Sequence, residues 1–212
     1  MTRSRWLLMA LVLSACATVS PTERVISDDL LIGESLGDAA PPTRMHGTLK
    51  LSLGAGVPIT ELHGVLTLVV TTPDGQVHRR VAPNAWPKSG EAYIVNAWRG
   101  LVPLSDARYH ALGTSTAAFA ENQTQCQAEL TNQYGVDNVR ATGTLDQGPT
   151  PNAFQSLAKN TIDRSGVVLG EVCIMTDPTV GQGVMISRIL ISPPIDAPAG
   201  TVVTTIYRVM FE

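Results

Sequence analysis

Alternation of apolar and polar positions is clearest near the two ends of the body of the chain. Leu49 to Leu53 alternates strictly, which is the period of a half-buried strand. His63-Gly-Val-Leu-Thr-Leu-Val-Val opens as His46-Gly-Thr-Leu does, and the two segments suit neighbouring strands of one sheet. Leu62 to Thr72 runs into Pro73-Asp74-Gly75 and then Gln76 to Val81, a strand, a turn and a strand that predict a hairpin. Prolines 83 and 87 and Gly90 break the pattern, and Glu91 to Trp98 reads as a further strand. Three strands close the chain: Val167–Met175, Val184–Ser192 and Thr201–Phe211. The last places Val203, Tyr207, Val209 and Phe211 on one face.

The middle changes to helical spacing. Ser105 is a good N-cap for a short helix over Asp106–Leu112, which Gly113 stops. Thr114 to Thr116 caps a longer helix running to Tyr134, with Phe119, Cys126, Leu130 and Tyr134 on one face. Thr150-Pro151 starts a third helix, to about Asn160. Strands on either side of a helical block predict an α+β fold with a mainly antiparallel sheet. No linker long and polar enough to divide residues 45–212 is present, so they form one expected domain.

The amino terminus follows a different logic. Arg3 and Arg5 precede an apolar stretch from Trp6 to Leu13, too short for a bilayer of ~30 Å but fitted to a secretory leader. It ends in Leu13-Ser14-Ala15-Cys16, which resembles the lipobox of bacterial lipoproteins. That resemblance implies cleavage before Cys16, diacylglycerol on its thiol and acylation of the new amine. Residues 1–15 are then a signal peptide, and 16–44 a lipidated end and tether. As a coil, Ala17 to Arg44 would reach roughly 30 Å. Val25 to Ile32 within it suits a short strand or helix. Ala17 after the cysteine implies, by the same resemblance, sorting to the outer membrane.

Cys126 and Cys173 remain once Cys16 is assigned to lipid. An exported chain meets an oxidising compartment, so the pair is expected as a disulfide closing 173 − 126 = 47 residues. The alternative is two buried thiols. Charged residues are 16%, and the net charge of −3 becomes (15 − 2) − 18 = −5 without the leader, which argues against nucleic acid as partner.

Candidate chemistry is sparse. Ser156-Leu-Ala-Lys159 resembles the Ser-x-x-Lys of penicillin-binding proteins and β-lactamases, which implies a helical serine nucleophile with its lysine one turn on. The Lys-Thr-Gly that the family carries downstream is absent, and Lys159-Asn160-Thr161 stands in its place. The four histidines at 46, 63, 78 and 110 form no metal-binding spacing, so neither metal nor cofactor is expected. Trp86, Tyr93, Trp98 and Arg99 gather within fourteen residues and make a candidate binding patch. Two strings, Gly64 to Val77 and Gly200 to Phe211, resemble strands of the carboxy-terminal domain of TonB-type energy transducers, which implies strand geometry alone.

Together these readings predict a lipid-anchored envelope protein with a binding or assembly role and no catalytic residues. Its partners would be the membrane, through the lipid, and an envelope protein or peptidoglycan. A periplasmic hydrolase with a site assembled from distant residues is the first alternative. A small-ligand or lipid-binding module is the second.

Overall fold

The computed structural model describes residues 48–51, 60–131 and 139–211. The chain divides into two units, Met1–Pro41 and Pro42–Glu212, and every described residue belongs to the second. Cys16 and the segment 25–32 lie outside the described residues.

The described residues form ten strands: β1 (Thr48–Leu51), β2 (Thr60–Thr71), β3 (Val77–Pro83), β4 (Tyr109–Gly113), β5 (Ala141–Thr142), β6 (Thr144–Gln147), β7 (Ala153–Thr161), β8 (Val167–Met175), β9 (Met185–Ala197) and β10 (Val202–Phe211). One helix, α1 (Lys88–Trp98), and a single 3-10 turn over Leu104–Asp106 complete them. The first sheet has the order β1-β2-β10-β7-β6, with β3 also on β2, and the second has the order β5-β4-β8-β9. Every pairing is antiparallel.

The two sheets share one core: β2 and β10 alternate, with one buried face, whereas β8 and the first half of β9 are buried on both faces. Leu62, Leu66, Leu68 and Val70 of β2 and Val203, Tyr207 and Val209 of β10 meet Leu112, Val172, Ile174 and Ile189 from the second sheet. The expected hairpin is present, as is the pairing of β1 with β2. The three closing strands are present as well, with β9 extended through Pro193 and Pro194 to Ala197.

The expected α+β class with a central helical block is overturned: this is a two-sheet β protein with one α-helix among the described residues. Residues 109–113 pair with β8 as strand β4. Residues 114–131 run as turns and irregular chain across the outer face of the second sheet. Buried charges and a disulfide fasten them there, rather than an apolar stripe. Arg188 of β9 donates through Nε to Glu171 (2.6 Å) and through Nη1 to Gln123 Oε1 (3.1 Å) and Ala118 O (3.4 Å). Arg140 grips Glu129 through Nε (2.5 Å) and Nη2 (2.8 Å). Cys126 is bonded to Cys173 of β8 with Cα atoms 6.1 Å apart.

Residues 153–161 form a strand because Ser156, Ala158 and Asn160 face inward at period two. That inward row is small or polar, and Leu157 points outward at 40% exposure, so hydrophobicity hides the alternation. The segment expected as a strand, 91–98, is instead the body of α1. Its buried residues are Gly90, Tyr93 and Ile94, the i, i+3, i+4 pattern of one helix face. Gly90 lets the helix lie directly on β9, since a Cβ there would run into the carbonyl oxygen of Ile186.

Candidate functional site

Besides the buried ion pairs of Arg188 and Arg140, polar side chains gather at a buried contact between the sheets and along an open groove. The buried one forms where inward side chains of three strands meet between the sheets. His110 of β4 sits with Nε2 2.8 Å from Ser156 Oγ of β7 and Nδ1 2.6 Å from Thr205 Oγ1 of β10. Thr205 Oγ1 donates to Ala158 O (3.5 Å), so Nδ1–H of the imidazole donates to Thr205 and Nε2 accepts from the serine. All three residues are fully buried.

This is the order of contacts in a serine–histidine nucleophile, but its electrostatics are wrong for that work. A hydroxyl stands where a carboxylate would stabilise the imidazolium. Burial pulls the His110 pKa down to about 3, far too low for a general base near neutral pH. The chain between β5 and β6 passes from the second sheet to the first directly over the pair. Its Gly143 lies so close that a Cβ there would run into Ser156 Oγ and stand 2.9 Å from His110 Nε2. Gly143 N–H donates to Arg108 O (2.7 Å), which holds this corner down. The arrangement bolts the two sheets together through neutral hydrogen bonds. Lys159 falls on the opposite, exposed face of β7, so the strand separates it from Ser156 and the Ser-x-x-Lys geometry does not form.

The open site is a groove of about 670 Å³ between the edge strands of the two sheets. One wall is the β2–β3 hairpin, with His78 and Arg80 on the inward row of β3; the other is the end of β9, with Pro193, Pro194 and Asp196. The register of β8 and β9 jumps there, from Leu169↔Ile195 to Glu171↔Leu190, and the extra residues of β9 form the proline wall. Asp74 also lines the groove, but the Thr72 hydroxyl (2.5 Å) and the Gln76 amide (3.4 Å) hold its carboxyl below the usual carboxylate range. Arg80 Nη1 donates to Arg79 O (2.8 Å).

The expected aromatic patch is split by the fold. Trp86 and Tyr93 are core residues, and Tyr93 Oη donates to Pro103 O (2.8 Å). Burial first, and Asp106 second, raise its pKa. Trp98 is 37% exposed and stacks on Phe211 with ring centroids 6.0 Å apart; Arg99 beside it is exposed. Among histidines, 46 lies outside the described residues, 63 is on β2 and 78 lines the groove. The Cys126 and Cys173 sulfurs and the Glu171 carboxylate lie within 4.8 Å of one another. Both sulfurs are spent in the bond, and the carboxylate accepts from Arg188 and from Ala128 N–H (2.8 Å).

Sequence reasoning missed His110, Thr205 and the groove. The signal for the groove was Pro193-Pro194 inside a β-rich stretch, since proline in a sheet marks an edge strand or an irregularity. No comparable signal marks His110. The chain matches no protein family, no curated protein and no solved structure.

Proposed function

We propose that this chain is a lipid-anchored protein of the bacterial envelope, held at the outer membrane through Cys16, whose β domain binds rather than catalyses. Its partner is another envelope protein or peptidoglycan. The observation that carries the reading is Leu13-Ser14-Ala15-Cys16 behind a basic and then apolar leader. The Cys126–Cys173 bond supports it, because such a bond persists in the oxidising conditions outside the cytoplasm. A binding role draws support from the chemistry of the domain: the serine–histidine contact is sealed under Gly143, and the accessible feature is a groove.

The test is Cys16→Ser in the producing cell, followed by fractionation. The wild-type protein is expected in the membrane pellet and the variant in the soluble envelope fraction. A variant that still pellets with membranes overturns the anchoring.

A second reading, a small-ligand module, is favoured by the size of the groove, which falls in the range of small-molecule sites. Native mass spectrometry of the protein purified from its own envelope tests it. A mass increment lost on His78→Ala and Arg80→Ala supports that reading, and a bare wild-type mass counts against it.

A further inference from the structure

Strand β3 forms one wall of the groove, and the hydrogen bonds at its two ends show which way its backbone faces. Thr72 N–H donates to Gln76 O (2.9 Å), and Asn84 N–H donates to Gly64 O (3.0 Å). These are hydrogen-bonded pairs, and such pairs alternate along an antiparallel ladder. His78, Arg80 and Ala82 therefore spend their backbone groups on β2, while Val77, Arg79 and Val81 turn theirs to the other side. Among the described residues β3 pairs with β2 alone, so that other side is a sheet edge. The Arg79 carbonyl accepts from Arg80 there, and Val77 and Val81 each present an N–H and a C=O.

The inward row of β3 carries charge where a sandwich carries apolar side chains. His78 and Arg80 are half-buried on it and line the groove, and neither makes an ion pair with a described carboxylate. Two acids also line the groove. Asp74 is held by Thr72 and Gln76, and Asp196 stands opposite the exposed Val168 on the outer face of the second sheet. The facing wall is Pro193, Pro194 and Ile195. Its prolines have no N–H to give, so β3 is the wall with backbone donors to offer an added strand.

We propose that an extended acidic segment of a protein partner fills the groove as the next strand of the first sheet, antiparallel to β3, bonded to Val77 and Val81 and with carboxylates beside His78 and Arg80. This rests on the binding role proposed above and is independent of the lipid anchor. A strand added there sends alternate side chains inward, into the groove of about 670 Å³ and against the prolines. Inward positions directly opposite His78 and Arg80 stand roughly 5 Å from them, the distance at which a cross-strand carboxylate pairs with a cation. The outward positions fall beside Val77 and Val81, which are 62% and 39% exposed and suit apolar neighbours. In this mode of recognition the main-chain bonds give affinity and the alternate side chains give selectivity. A second copy of the chain fits worse. Two β3 strands paired about Arg79 would set His78 opposite Arg80 and Arg79 opposite itself, and like charges directly opposite repel.

The probe is a synthetic peptide, Val-Glu-Val-Glu-Val-Glu-Val with blocked ends, at millimolar concentration. Residue-resolved hydrogen exchange reads its effect on the native full-length protein in detergent micelles, and titration reads its affinity. Slowed exchange of the Val77 and Val81 amides is expected. Affinity should fall about fivefold in Arg80→Gln, and about tenfold or more when lysine replaces the peptide's glutamates. Methylation of the peptide's valine nitrogens, which face β3, should abolish binding. Glutamate-dependent binding that leaves Val77 and Val81 exchanging as before, or that survives the methylation, overturns the strand and leaves the groove as a site for anions. Equal binding of the glutamate and lysine peptides overturns the acidic partner. No binding of any peptide overturns the docking altogether, and the small-ligand reading then stands or falls on the native mass measured above.

Discussion

Acidification tests the buried histidine, because His110 contributes stability only while it is neutral. In the folded chain its neighbours are two hydroxyls, and no carboxylate faces either ring nitrogen. Burial therefore holds its pKa down at about 3, against about 6.5 in the unfolded chain. Between those values the unfolded state binds a proton that the folded state refuses. Stability is then fully present above pH ~6.5 and falls as the pH drops through the window toward 3. Each pH unit inside the window is worth ~1.36 kcal/mol, so going down to pH 4 removes roughly 3.4 kcal/mol. That is a large share of the ~5–15 kcal/mol that holds a domain together. The assay is urea denaturation at pH 7, 5.5 and 4 for wild type and His110→Gln. Glutamine fills the site with a neutral amide at every pH, and the acidic residues titrate alike in both proteins. The wild type should lose about 3 kcal/mol more than the variant over that range. Parallel stability curves for the two proteins would refute the reasoning.

Three further predictions follow from the packing around the second sheet. Replacing both Cys126 and Cys173 by alanine removes a link that closes 47 residues and should cost ~4 kcal/mol in the chain-entropy account; an unchanged denaturation midpoint would show that the bond contributes nothing. Arg188→Met strands the Glu171 carboxylate without its cation and should cost roughly 3–5 kcal/mol. Adding Glu171→Gln should restore part of that loss, and strictly additive losses by calorimetry would contradict the pairing. Gly90→Ala forces α1 off the backbone of β9 and should destabilise by roughly 1–3 kcal/mol. Gly100→Ala, where a Cβ meets nothing but φ is +71°, should cost only about 1 kcal/mol, and equal losses at the two sites would refute the close contact.

The strands that could be read from the sequence are those whose inward rows are written in large apolar residues. Leu62, Leu66, Leu68 and Val70 announce β2, and Val203, Tyr207 and Val209 announce β10. Strand β7 could not be read this way, because its inward row is spent on Ser156, Ala158 and Asn160, and Ser156 serves the histidine contact rather than the core. The segment 114–131 carries a helix-like spacing by coincidence. Its conformation is dictated by Arg188, some seventy residues away, and by Arg140, and charge pairing across such separations leaves no period in a sequence. Helix α1 was legible only to a reader who weighed Gly90, Tyr93 and Ile94 over the β-branched and aromatic content of Glu91 to Trp98. The candidate patch failed for a related reason. Helix α1 turns Tyr93 inward and Trp98 outward, dividing residues that nearness in the sequence had grouped.

The account turns on what is joined to Cys16. Mass spectrometry of the amino-terminal peptide from the native protein reads it directly. The account predicts a chain beginning at Cys16, heavier by a thioether-linked diacylglycerol and an amide-linked acyl chain. A peptide that begins at Met1, or a Cys16 with a free thiol, would contradict it.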